Sequence, residues 1–79
     1  MGFYVKIEKT FETETVAQYT FEGDHGLKGL LALDKTKGEV TLVEPMPGDD
    51  RMHCFNRAIV KITREWREGR LPQTLEWAS

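Results

Sequence analysis

The chain has 79 residues, a formal net charge of −2 and a single cysteine. This length allows one domain with a modest core, so we expect residues 1–79 to form a single domain. The chain has no apolar run of about 20 residues, which argues against a membrane span, and one cysteine cannot form an internal disulfide. The composition therefore predicts a cytoplasmic protein with no membrane partner.

The first half of the chain is organised as short alternating stretches. Residues 2–9 and 15–22 alternate apolar and polar side chains, which is typical of strands with one buried face. Phe11 continues the alternation of the first stretch and so favours a longer strand. A Gly-Asp-His-Gly sequence at 23–26 predicts a turn after the second stretch.

The third stretch, 27–34, departs from alternation because residues 30–33 are all apolar. This pattern is typical of a strand that is central or covered on both faces. Gly29 within it indicates a bulge or a close backbone approach. A loop at 35–38, with Gly38 in a left-handed conformation, predicts a hairpin into a fourth strand at 39–44.

The stretch from Asp49 to Gly69 predicts one amphipathic helix. Its apolar residues recur at steps of three and four, with Cys54 and Ala58 widening the stripe: Met52, Phe55, Ile59, Ile62 and Trp66. Asp49 or Asp50 is expected to cap the first turn, and Gly69 to end the helix. The last ten residues contain two leucines and a tryptophan, and we expect them to pack on the domain.

These elements predict an α+β fold, an antiparallel β-meander of about four strands with one C-terminal α-helix packed across one face. The other face would carry Leu30, Ala32, Val16, Tyr4 and Val43. The sequence leaves two candidates for covering that face, the C-terminal segment and a second copy of the protein. A homodimer through the sheet face carrying Leu30 and Ala32 is one hypothesis.

The charge is unevenly distributed, with −5 in residues 1–50 and +3 in residues 51–79. On the predicted helix, Arg57, Lys61 and Arg64 share the polar face, with Val60 near them. The plainer interpretation is a solvated face that complements the acidic half of the chain. The functional interpretation is a surface that binds a protein partner or nucleic acid, although the acidic balance and the lack of interleaved aromatic residues make nucleic acid the weaker hypothesis.

The remaining motifs do not indicate a metal site, a phosphate-binding loop or a catalytic site. His53 and Cys54 are adjacent, so they point about 100° apart on a helix, and four regularly spaced metal ligands are missing from the sequence. The glycine-rich segment 23–29 leads into a strand, whereas a phosphate-binding loop opens into a helix. We therefore predict no metal, no cofactor and no catalytic residue.

The sequence resembles small uncharacterised bacterial proteins of unknown function that place a sheet first and a helix last. The resemblance covers the C-terminal fifty residues, through the segments 29–34, 36–40, 45–49 and 66–72 and the final Trp-Ala-Ser. It implies a bacterial origin and carries no activity or catalytic residue.

The function these patterns favour is a small non-enzymatic protein-interaction or regulatory module. The first alternative is a nucleic-acid-binding module that uses the basic helix face. The second alternative is a small enzyme with its site at a dimer cleft, because 79 residues leave little room for a deep pocket in one copy.

Overall fold

The computed structural model describes residues 4–78, so the predicted start of the first strand at residue 2 lies outside the described residues. It contains five strands and one helix: β1 (Tyr4–Glu12), β2 (Val16–Glu22), β3 (Lys28–Asp34), β4 (Val40–Glu44), α1 (His53–Arg67) and β5 (Thr74–Ala78). The strands form one antiparallel sheet in the order β4-β3-β2-β1-β5. The predicted α+β meander with a helix packed on it is confirmed, and a fifth strand follows the helix.

The core lies between the sheet and α1. Alternate residues of the three central strands are fully buried there, which is the consequence of the period-two pattern that predicted the strands. The side chains with no exposed surface are Val5, Ile7, Ala17, Tyr19, Phe21, Leu31, Leu33, Ala58 and Ile62. The hydroxyl of Tyr19 donates a hydrogen bond of 2.9 Å to the carbonyl oxygen of Pro72, so this long polar side chain is satisfied at the edge of the core.

The buried stripe of α1 is displaced from the predicted one. The helix begins at His53, and Met52 precedes it with a φ of 61° and a side chain that is 40% exposed. The buried helical residues are Cys54, Ala58 and Ile62, while Ile59 is only half-buried. Two of the three are small, which lets the helix lie close to the sheet, so Met52 and Ile59 of the predicted stripe fall to one side.

Both predicted ends of the helix have their capping groups. The carboxylate of Asp49 accepts hydrogen bonds from the backbone N–H groups of Cys54 at 3.0 Å and Phe55 at 3.1 Å. These are donors of the first turn that lack a partner within the helix. Gly69 has a φ of 78° and its N–H donates to the carbonyl oxygen of Trp66, which ends α1 as predicted.

The C-terminal segment packs on the domain, as expected, but it does so as strand β5. Leu75 pairs with Ile7 and Trp77 pairs with Val5, and both side chains join the core on the helix side. The segment therefore extends the sheet at its edge and does not cover the face that points away from α1. No helix among residues 4–78 has the length and apolarity needed to cross a membrane.

At two positions a side chain larger than that of glycine does not fit, because an aromatic ring occupies the space where its Cβ would lie. At Gly29 the pairing of β2 with β3 shows no bulge, and the group that approaches closely is the ring of its cross-strand neighbour Phe21, which occupies the space where a Cβ would lie. Gly38 has a φ of 76°, as the predicted hairpin requires, and the ring of Trp66 occupies the space where its Cβ would lie. The indole Nε1 of Trp66 donates to the carbonyl oxygen of Lys35 at 2.8 Å, which joins the end of α1 to this hairpin.

Candidate interaction surface

The face of the sheet that points away from α1, which we call the open face, carries apolar side chains that no second layer formed by residues 4–78 covers. Phe11 is 53% exposed and Val43 is 46% exposed. Val16, Leu30 and Ala32 lie between them and are half-buried by their neighbours in the sheet. The apolar residues predicted for this side of the sheet are therefore on it, and both faces of β3 are apolar although only one is covered by the helix.

Phe11 reaches the open face through an irregularity that the alternation pattern did not indicate. The pairing of β1 with β2 shifts between Lys9 and Phe11, so that Phe11 lies opposite Gln18. A bulge of this kind inserts one extra residue and reverses the side on which later residues point. Without the shift, Phe11 would continue the buried series of Val5 and Ile7. The pattern alone thus missed one of the largest apolar groups of the open face.

A row of alternating charges crosses one end of the open face. Lys28, Glu22, Lys6 and Glu76 are successive cross-strand neighbours on β3, β2, β1 and β5. The ammonium of Lys28 lies 4.0 Å from a carboxylate oxygen of Glu22. Opposite charges in neighbouring strands support the register modestly, and they leave this end of the face polar.

Tyr4 stands at the end of that charged row. Its hydroxyl donates a hydrogen bond of 3.1 Å to a carboxylate oxygen of Glu76, which ties β1 to the outer strand β5. This hydrogen bond, followed by partial burial and the negative charge of Glu76, raises the pKa of the Tyr4 hydroxyl. The Tyr4 ring is 38% exposed and adds to the apolar surface available there.

Two of the three basic residues predicted as a binding site, Arg57 and Lys61, lie on the side of α1 next to β5. The guanidinium carbon of Arg57 lies 5.9 Å from the ring centroid of Trp77, and its Nη1 donates to the carbonyl oxygen of His53 at 3.1 Å. Lys61 is half-buried beside Thr74 and Leu75, one turn further along. Arg64 is exposed, and so is Val60, at 41%. The polar face of the helix is therefore divided, with Arg57 and Lys61 beside β5 and with Arg64 and Val60 exposed to solvent.

His53 and Cys54, the adjacent pair examined as metal ligands, line a pocket near the start of α1. His25, His53, Cys54 and Asp49 are among its lining residues, around a volume of about 280 Å³. Burial, followed by the charge of Asp49, raises the pKa of the Cys54 thiol, which disfavours the nucleophilic thiolate. Asp49 itself is occupied in capping the helix. Within residues 4–78, no three His, Cys, Asp or Glu side chains are grouped as a metal site would require.

Comparison with known proteins identifies no relative: no family model matches the chain, and no curated protein or solved structure matches it. The resemblance to small bacterial proteins therefore depends on the quoted residues alone.

Proposed function

We propose that this chain is a small, non-enzymatic protein-interaction module and that the open face binds a second copy of the same chain. The observation that carries the proposal is the apolar surface formed by Phe11, Val16, Leu30, Ala32 and Val43 on a sheet face with no covering layer in residues 4–78. A sheet with two apolar faces favours a partner layer on each of them. The helix supplies one layer, and a second sheet would supply the other.

The charged row supports self-association in a particular orientation. Consider two open faces stacked about a two-fold axis that runs parallel to the strands and passes between β1 and β2. Lys28 of one copy would then face Glu76 of the other, and Glu22 would face Lys6, because the row alternates in sign across the four strands. The arrangement is isologous, as most homodimers are. Each polar group of the row thus gains an opposite charge across the interface.

The size of the face is also sufficient. The molecule extends 35, 23 and 18 Å along its principal axes, and five strands about 4.8 Å apart give the sheet a width of about 20 Å. Each partner in a stable interface of ordinary size buries about 800 Å². Two sheets packed face to face, as in a β-sandwich, would bury an area of that order.

Sedimentation velocity over a concentration series tests this proposal. We expect the mass to rise from the monomer value of 9.1 kDa toward twice that value as the concentration increases. Leu30→Lys should abolish the rise, because it replaces an apolar side chain of the interface with a long charged one. Its local cost within the monomer is small, since Glu44 is the cross-strand neighbour of Leu30 on β4.

The matched control is Leu27→Lys. Leu27 is 46% exposed, the same fraction as Val43 on the open face, but it precedes β3 and lies outside the sheet. This variant should associate as the unchanged chain does. A chain that remains at 9.1 kDa at every concentration, or a Leu30→Lys variant that still associates, would contradict the proposal.

A further inference from the structure

The two edges of the sheet differ in how they are protected against another strand. The edge formed by β4 has a register shift against Leu30 and Leu31 and is followed at once by Pro45. Bulges and prolines are the usual devices that prevent an edge strand from pairing with a further chain. At the other edge, β5 pairs with β1 through five consecutive residues without a shift, and Thr74–Ala78 contains no proline and no lysine.

The backbone groups that β5 presents at this edge can be identified from its pairing. The N–H of Lys9 donates to the carbonyl oxygen of Gln73 at 2.8 Å, just before the strand. Hydrogen-bonded pairs alternate along an antiparallel ladder, so Leu75 and Trp77 direct their backbone groups toward β1. The N–H and C=O groups of Thr74, Glu76 and Ala78 therefore point away from the sheet.

A row of positive charge runs beside this edge. α1 packs against β5, with Arg57 next to Trp77 and Lys61 next to Leu75, so helix and strand run in opposite directions. Arg57, Lys61 and Arg64 are four and three residues apart, which separates them by about 6 and 4.5 Å along the helix axis. Alternate residues of a strand are about 6.7 Å apart. A strand added outside β5 would thus bring every second side chain close to one of these cations.

The side of α1 that carries Arg57, Lys61 and Arg64 is called the basic flank. A groove extends from the basic flank around the outer edge of β5. It has a volume of about 440 Å³ and is lined by residues of both faces: Tyr4, Lys6, Lys61, Thr74, Leu75 and Glu76. Lys6 and Lys61 bring positive charge from the two sides of the sheet, whereas Glu76 contributes a carboxylate on the open-face side. An incoming strand is therefore best matched by carboxylates on the helix side and by neutral side chains on the open-face side.

We propose that the β5 edge binds an extended acidic segment of a partner protein, which adds to the sheet as a sixth strand with carboxylates at every second residue. Main-chain hydrogen bonds to Thr74, Glu76 and Ala78 supply the pairing, and the basic flank of α1 selects the sequence. A second copy of this chain does not fit this edge, because pairing β5 with itself would bring two basic flanks together. The edge shares Lys6 and Glu76 with the charged row of the open face, but the backbone groups that pair with the segment point away from the sheet at its edge.

The probe for this proposal is an acetylated and amidated peptide, Val-Glu-Thr-Glu-Thr-Glu-Val, carrying a fluorescent label. Its binding is measured by anisotropy at low salt, and amide hydrogen exchange of the protein is followed by NMR. We expect saturable binding that weakens as salt is added. We also expect slower exchange at the N–H groups of Thr74 and Glu76, which the free protein leaves open.

Two pairs of variants separate the backbone contribution from the charge contribution. Glu76→Pro removes an outward N–H together with the carboxylate, whereas Glu76→Gln removes the carboxylate alone, so the dissociation constant should be about fivefold higher for the proline variant than for the glutamine variant. Lys61→Gln should raise it about threefold at low salt, while Lys37→Gln, in the loop at the β4 edge, should leave it unchanged. Circular dichroism verifies that each variant keeps its sheet.

Three results would overturn the proposal. The first is no saturable binding of the peptide. The second is binding that Glu76→Pro leaves unaffected, since pairing through the edge requires that N–H. The third is binding of a single-stranded oligonucleotide that depends on Lys61 while the peptide does not bind, which would assign the basic flank to nucleic acid. Neither peptide result alters the sedimentation test of the open face, so the two proposals fail separately.

Discussion

The two faces of this sheet are formed by the same strands, but only one of them is covered by the helix. On the helix side, the alternate residues of β1, β2 and β3 have no exposed surface and form the core. On the open face, the intervening residues of those strands are half-buried or exposed, although Val16, Leu30 and Ala32 are as apolar as their neighbours. Apolar character alone therefore does not distinguish a residue that holds the fold together from one that is available to a partner. The covering layer makes that distinction.

Adjacent leucines on β3 give the most direct test of this difference in stability. Leu31 is fully buried under α1, whereas Leu30 is half-buried on the open face. Leu31→Ala should lower the free energy of unfolding by about 3 kcal/mol, because it leaves a cavity in the core. Leu30→Ala should lower it by about 1 kcal/mol. Urea denaturation of both variants at a concentration where the chain is monomeric measures the two values, and equal losses would contradict the assignment of the faces.

The close contact between Gly29 and Phe21 predicts the next largest effect. Gly29→Ala forces the Phe21 ring to move within a packed core and should cost about 2 kcal/mol of stability. Because the cost arises from one contact, the double variant with Phe21→Leu should lose less than the sum of the two single changes. Strict additivity in urea denaturation would show that the ring does not lie on this glycine.

The cap of α1 predicts different effects on stability for two adjacent carboxylates, Asp49 and Asp50. Asp49→Ala removes the acceptor of two N–H groups of the first turn and should cost about 1 kcal/mol. Asp50 is exposed and precedes the helix without a comparable contact among the described hydrogen bonds, so Asp50→Ala should change stability by less than about 0.5 kcal/mol. Thermal unfolding of the two variants decides between them, and a larger loss for Asp50→Ala would refute the assignment of the cap.

The smallest effect concerns pH and the end of β1. Hydrogen bonds from Lys35 and then Lys9, at 2.6 Å each, lower the pKa of Glu12 from 4.5 to about 2. A carboxylate whose pKa is lower in the folded state stabilises the fold above pH 4.5. That contribution is lost progressively as the pH falls from 4.5 toward 2. Because Glu12 is exposed, the effect is small, and it should be missing in Glu12→Gln. Urea midpoints of both chains across this pH range provide the test, and identical pH dependence would contradict it.

Residue patterns predicted much of the fold because their periodicity depends on local geometry. The first four strands, the helix, its Asp49 cap and the Gly38 turn all follow from spacing and turn chemistry. Strand β5 was missed because Thr74–Ala78 is short and its pairing with β1 joins opposite ends of the chain. The bulge that turns Phe11 outward depends on the register between two strands, which a single strand does not encode.

The candidate surfaces were predicted less completely than the fold. Leu30 and Ala32 on the open face, and the cations Arg57, Lys61 and Arg64, were all identified from the sequence. The proximity of Arg57 and Lys61 to β5 was not identified, because it depends on which strand lies next to this side of the helix. The alternating charges of Lys28, Glu22, Lys6 and Glu76 come from four separate strands, so only the sheet register reveals them as a row.

An NMR dilution series with methyl detection tests the central claim that the open face binds a second copy. The methyl signals of Leu30 and Ala32 lie on the open face, and those of Leu31 and Leu33 lie beneath α1. We predict that the first pair shifts progressively with protein concentration while the second pair stays constant. Signals of Leu30 and Ala32 that do not move at any concentration, or that move only together with those of the core, would contradict the account.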